Sequence, residues 1–316
     1  MTEITPRQHE KYERLIAAAK ALPPLATAVA HPCDETSLKG VLEAAEAGLI
    51  KPILVGPKDK IISVARAFSL DLSGIEIIDV PQSQAAAETA VALVRSRKAE
   101  LLMKGSLHTD ELLSEVVKRD TGIRTGWRIS HVFVMDVPGH PHTLFITDAA
   151  VNIAPDLTAK HDIIQNAIDL HVDLGLGTPK VAILSAVETV TLSIPSTIEA
   201  AALCKMADRG QITGRELDGP LAFDNAISPE AARIKGIKSP VAGQAQILVV
   251  PDLEAGNMLA KNLTFLSGAD AAGVVLGAGV PIILTSRADN LRTRMASCAV
   301  AMLLRHSQIT KQPIQI

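Results

Sequence analysis

Aromatic side chains are almost missing from this sequence: five Phe, one Trp and one Tyr make up 2% of 316 residues. That leaves no stacking platform for single-stranded nucleic acid, and a net charge of −3 provides no phosphate-seeking field over the surface. Cysteine is nearly as scarce. Cys33, Cys204 and Cys298 are odd in number, far apart and in no CxxC pair, which excludes a disulfide framework and a zinc cluster and points to a reducing, cytoplasmic compartment. Long apolar runs are absent too. The longest, 271–285, is shorter than a membrane span and holds Gly and Pro, and the start MTEITPRQHEKYERLIAAAK reads as an amphipathic helix, not a signal peptide. Neither GxGxxG nor GxxxxGK[ST] occurs; GLGTP at 175–179 and GAGVP at 277–281 lack both spacings, so no nucleotide cofactor is expected. There is no internal repeat and no long Pro/Gly/Ser linker.

What is present is aliphatic. A hydrophobic fraction of 47% with so few aromatics means a core of Ala, Val, Ile and Leu, the material of parallel sheets wrapped in helices. The length suits two domains, or one with a large insertion. Short β-rich runs (TAVA, PILVG, IEIIDV, ELLMKG) alternate with helical stretches such as 34–47 and 82–97, which predicts βαβ units. Asp34, Thr36 or Ser37 can cap the first of these helices, and Gly48 stands at its end. At 130–147 two strands joined by PGHPH predict a hairpin. Alternation resumes with helices at 158–174, 196–208 and 253–267 and strands at 180–185 and 247–250. AGVVLG, PIILT and a helix from about Asp289 to Arg305 close the chain.

Several segments carry side chains suited to chemistry. In KGSLHTDELL, a strand delivers Lys104 and Gly105 to its carboxyl edge before Thr109 or Asp110 opens a helix; this is either an anion site or a plain turn with a cap. In TGIRTGWRISH, glycines space Arg124 and Arg128 ahead of Ser130 and His131, which suits bidentate recognition of phosphate or carboxylate. DGPLAFDNAIS places Asp218 near Asp224 without a third ligand. In LEAGNML, close packing or a cap explains Gly256 and Asn257 as well as function does. His140 and His142 read as a solvated turn, and His31 as a core or rim histidine. Ser286-x-x-Asp289 has capping-box spacing, but Arg287 opposes the helix dipole by a few tenths to about 1 kcal/mol, so something anionic should compensate for it.

KGSLHT, SHVFV, DGPLAFDNAIS, PDLEAGNML and SRAD, in that order from Lys104 to the last helix, resemble the phosphate acetyltransferase and phosphate butyryltransferase family. The SRAD and SHV versions look closer to the butyryltransferase branch. The resemblance implies an isocitrate/isopropylmalate dehydrogenase-like fold of two α/β/α domains with a cleft between them. Residues 1–136 plus 285–316 would form the first domain, 137–284 the inserted second, and the assembly would be a homodimer.

The implied reaction is reversible transfer of a short-chain acyl group between CoA and inorganic phosphate, by direct thiolate attack on an acyl phosphate. It uses CoA as a substrate and needs no cofactor or metal. Ser286 would contact the CoA sulfur and Arg287 the phosphate or acyl oxygen. Arg124 resembles the family's other phosphate-binding arginine, and Arg128, Lys104, Gly105, Thr109 and Ser130 are further candidates for phosphate or CoA. One departure stands out. The acetyltransferase branch has an aspartate seven residues beyond the SR serine, where this chain has Thr293, leaving Asp289 as the nearest acid. Full deprotonation of a thiol of pKa about 8.5 is worth about thirtyfold near pH 7, roughly 2 kcal/mol, so the change is a loss and not a veto. The competing readings are a silent CoA-binding relative and a metal-dependent decarboxylating dehydrogenase.

Overall fold

The structure is a computed structural model that describes residues 9–285 and 289–314. In chain order the first half comprises α1 (Glu10–Lys20), β1 (Leu25–Ala30), α2 (Glu35–Glu46), β2 (Ile50–Gly56), α3 (Lys58–Ala67), β3 (Glu76–Asp79), α4 (Ser83–Arg95), β4 (Leu101–Lys104) and α5 (Thr109–Val116). Then follow β5 (Ser130–Asp136), β6 (Leu144–Thr147), α6 (Leu157–Asp173), β7 (Lys180–Leu184), α7 (Pro195–Asp208), β8 (Glu216–Leu221), α8 (Phe223–Ile227) and α9 (Pro229–Ile234). The last are β9 (Ile247–Val249), α10 (Leu253–Phe265), β10 (Asp270–Leu276), β11 (Ile282–Ile283) and α11 (Leu291–Thr310).

All eleven strands join one sheet in the order β3-β2-β1-β4-β11-β10-β5-β6-β9-β7-β8. The first five run parallel, and β10 runs antiparallel to both of its neighbours, β11 and β5. The expected hairpin is β5–β6, with Val132 opposite Thr147. Because β6 reverses direction, its parallel partners β9, β7 and β8 point their carboxyl ends to the opposite edge from β4 and β11.

Period-2 alternation divides the core between the two faces. Val29, Leu101, Met103, Phe145, Val274 and Ile283 face α2, α6, α7 and α11. On the other face two separate groups form. Ala28, Leu102, Val275 and Ile282 lie under the alanine-rich α4 and under α5, while Met135, Ile146, Ala182 and Leu248 lie under α8, α9 and α10. Between these groups the sheet is left uncovered.

Asp34 accepts from Ser37 N at 2.8 Å and caps α2, and Gly48 takes φ +74 just past its end. The last helix begins at Leu291, and its cap is Asn290, which accepts from Thr293 N at 2.9 Å. The capping box expected from Asp289 is therefore corrected: Asp289 lies before the cap, outside the first turn. Helix α3, strand β8 and helices α8 and α9 were not read from the sequence.

Candidate active site

The uncovered stretch of sheet is the floor of a cleft of about 520 Å³. His131 and Phe133 of β5 stand on this floor. The loop after β4 and the start of α5 supply Lys104 and Thr109 on one wall, and α10 supplies Asn257 and Lys261 on the other. Thr285, Asp289, Asn290 and Thr293 close one end. Residues distant in sequence meet here because β10 and β11 pass through the centre of the sheet.

Gly105 is needed for a close approach. A Cβ there would stand 2.5 Å from the carbonyl oxygen of Ala30, which backbone cannot relieve. The approach brings Gly105 N to Ala30 O and Ser106 N to His31 O, each at 2.9 Å. These two amides are thus committed to the end of β1. Lys104 curls over the same loop, donating to the carbonyls of Gly105 and Leu107. What remains open is the N-terminus of α5 at Thr109, where no side chain caps the helix.

On the closing end, Arg294 donates through Nη1 to the carbonyl oxygen of Asp289 and approaches Glu43 of α2 at 3.8 Å. It thereby ties the residue before the cap to the body of the first half. Thr293, 6% exposed, faces the cleft from the third position of α11, and its carbonyl accepts from Ser297 Oγ. Ser297 Oγ in turn accepts from Gly273 N of the floor at 2.9 Å. Ser286 and Arg287 lie outside the described residues; Thr285 and Asp289 on either side of them both line the cleft.

Three expected residues are not brought to this cleft. Arg124 forms a bridge with Ala278 and lines a groove with Arg97, Glu100 and Arg305, at the edge where β4 begins. Arg128 donates through Nε to Asn152 at 2.6 Å, and Ser130 is buried against Asn166 at 2.8 Å. The physical reason is that β5 runs antiparallel to β10 and pairs Ser130 with Leu276, so the loop before it stands at the far edge.

Asp218 accepts from its neighbour's amide, Gly219 N, and Asp224 approaches Lys235 at 3.7 Å. His31, at φ +53, faces Ser106 Oγ at 3.0 Å, and burial lowers its pKa. Gly256 packs against the carbonyl of Asp148, where a Cβ would stand at 2.9 Å.

Among the cleft residues, Phe133 and Lys261 were not singled out from the sequence, and His131 was named beside Ser130 without a role of its own. For His131 the signal was present, since alternation in SHVFV puts 131 and 133 on one face. Lys261 had none, because nothing local says which side of α10 meets the cleft.

By fold the chain is a three-layered α/β/α molecule of the dehydrogenase-like class, with its cleft between two helix groups on one face of the sheet. More narrowly, it belongs to the phosphate acetyl/butyryl transferase family: the profile described as "Phosphate acetyl/butaryl transferase" matches residues 82–302. It is 74% identical, over 94% of both chains, to a protein named phosphate acetyltransferase from Rhizobium meliloti. It is 43% identical to a phosphate butyryltransferase from Clostridium beijerinckii, over 93% of this chain and 98% of that one. A solved branched-chain phosphotransacylase from Enterococcus faecalis V583 shares the fold with a TM-score of 0.76 and 30% identity, over 89% of this chain and 99% of the other.

Proposed function

We propose that this phosphate acyltransferase moves acetyl between CoA and inorganic phosphate in the cleft over β5 and β10. The choice of acetyl is supported by 74% identity to a relative named for that substrate, against 43% to one named for butyryl. The SRAD and SHV segments favour the butyryl branch, and that is the second reading.

The observation that carries the assignment of the site is that the described residues flanking the Ser286–Ala288 segment, Thr285 and Asp289, line the same cleft as Lys104 and Thr109. In our reading the CoA sulfur is held by Ser286 and attacks the carbonyl of acetyl phosphate, while Arg287 and the open amides of α5 bind the phosphate. The C–S bond forms, the thiol proton passes to Asp289, and the C–O bond to phosphate breaks. Lys261 lines the cleft and, together with Lys104, attracts the anionic substrates. Holding thiolate and acyl phosphate together and neutralising charge supplies most of the rate. Thr109 serves the phosphate; Arg124, Arg128 and Ser130 serve the structure of the far edge instead.

We further propose that the enzyme needs no cofactor, works as a homodimer in the cytoplasm, and divides into 1–136 plus 285–316 and an inserted 137–284. No helix among the described residues is long and apolar enough to cross a membrane. The test is phosphate-dependent release of CoA from acetyl-, propionyl- and butyryl-CoA, followed with a thiol reagent and repeated with EDTA. Release that requires phosphate, survives chelation and is fastest with acetyl supports the reading. Fastest release with butyryl selects the second one, and CoA binding without release makes the chain a silent relative.

A further inference from the structure

We propose that His131 donates a hydrogen bond, from Nε2 over the bare backbone of Gly273, to the acyl carbonyl oxygen as it becomes an oxyanion. The inference rests on the reading of the cleft given above and adds a catalytic residue to it.

His131 lines the cleft, yet it is 1% exposed and its Nδ1 is buried with no hydrogen-bond partner. A buried polar atom left unpaired is costly, so a ring placed this way calls for an explanation. Its position is rigid. The backbone N–H donates to Asp148 Oδ2 at 3.2 Å, the carbonyl accepts from Thr147 Oγ1 at 2.8 Å, and the ring meets Phe133 edge-on at 4.5 Å.

The neighbouring strand makes room for the ring. A Cβ built on Gly273 would stand 3.0 Å from His131 Nε2, so any other residue at 273 would crowd the imidazole and fill the floor. Gly273 is held in place from below by Ser297, through its own N–H.

The protonation state follows from this geometry. Burial pushes the His131 pKa down to about 4, against the nearby carboxylate of Asp148, which raises it. Among the described residues, Lys104, Lys261 and Asp289 are the other charged groups lining the cleft, together with the imidazole of His108. The ring is therefore neutral at pH 7. An orphaned lone pair costs less than an orphaned N–H, so the hydrogen sits on Nε2, beside Gly273. When the C–S bond forms, the carbonyl π pair moves onto oxygen and is met by this N–H. Collapse returns the pair and expels phosphate with the C–O bonding pair, and His131 keeps its proton throughout. A fixed donor of this kind is worth about 10²–10³ in rate.

The experiment pairs kinetics with imidazole NMR on the full chain. His131→Leu should lower kcat about 100-fold, with KM values for acetyl-CoA and phosphate within about threefold and an unfolding temperature close to that of the parent. His131→Gln, which keeps an N–H near Nε2, should restore at least tenfold of that loss. Near-parental turnover by the Leu variant, or no advantage of Gln over Leu in folded protein, overturns the proposal. In the unaltered enzyme, ¹⁵N-imidazole spectra should show the Nε2–H tautomer at pH 7 and a shift of that proton on addition of acetyl phosphate alone. An Nδ1–H tautomer, or a resonance that acetyl phosphate does not move, overturns it whether or not the variants fold. Lack of phosphate-dependent CoA release by the parent would overturn the proposed activity instead, and the spectra would still decide the role of the ring.

Discussion

Gly40 of α2 gives Arg294 of α11 its passage: a Cβ on residue 40 would stand 2.7 Å from Nε and 2.8 Å from Cδ of that arginine. Arg294 uses the passage to reach the carbonyl of Asp289 at the closing end of the cleft. Gly40→Ala should therefore act at a distance. Alanine gains up to about 1 kcal/mol of helix propensity but forces a half-buried arginine aside, an overpacking cost of about 1–3 kcal/mol. We expect near-parental thermal stability with kcat/KM lowered at least tenfold. Unchanged kcat/KM would show that the Arg294–Asp289 tie does not set the geometry of the site.

Thr293 occupies the third position of α11, where helix amides favour a carboxylate. Thr293→Asp should raise acetyl-CoA-forming turnover near pH 7, up to the roughly thirtyfold limit set by complete thiolate formation, and move the pH optimum downward. Burial at 6% exposure opposes ionisation and should lower the unfolding temperature by a few degrees. A pH–rate profile identical to the parent's would mean that thiol deprotonation does not limit the rate.

The three thiols should be silent toward thiol reagents. Burial pushes Cys33 up to about 11 and Cys204 and Cys298 up to about 12, so almost no thiolate exists near pH 7.5. Titration of native protein should consume well under one equivalent on the time scale of the activity assay, and denatured protein should consume all three. Rapid reaction of a native thiol would contradict the burial described here.

Stability should fall as pH is lowered from about 6.5 to about 4. His171, packed against Phe145 and bonded through Nδ1 to Gly177 O, has its pKa lowered by burial from 6.5 to about 4. In that window the unfolded chain binds a proton that the native ring refuses, which weakens folding. Asp169 and Asp173, whose pKa values burial raises, work in the opposite direction, so a difference between proteins is the quantity to measure. His171→Asn keeps a donor for Gly177 and cannot titrate. It should lose about 2 kcal/mol less than the parent between pH 7 and 4.5 in urea unfolding. Parallel curves would place the pH sensitivity elsewhere.

The elements read correctly from sequence are those whose signals are local. TAVA, PILVG and ELLMKG are strands in a chain that alternates with helices, Asp34 caps α2 as one of the expected caps, and PGHPH closes a hairpin. Strand β8 escaped notice because Gly219-Pro220 interrupts it, which a strand at the sheet's end tolerates. Lys104 and Thr109 share the cleft because a strand–loop–helix unit places its own loop, which local sequence can show. Arg124 and Arg128 lie away from it because their edge depends on the direction of β5, which is set by pairing with β10, far along the chain and out of reach of local sequence. Composition and spacing describe a loop's chemistry, but the reversal of one central strand decides which edge receives it.

The pairing of Leu102 with Ile282 also imposes an order on synthesis. Strands β1 to β4 emerge early and can assemble beside one another, but β4 then presents Leu101, Leu102 and Met103 on an unprotected edge until β11 leaves the ribosome. Contacts that close so late slow folding, and an apolar edge left waiting is a template for association with other nascent chains. Production of this enzyme should depend on chaperones that shield that edge, and slower elongation through the intervening segment should lengthen the hazard.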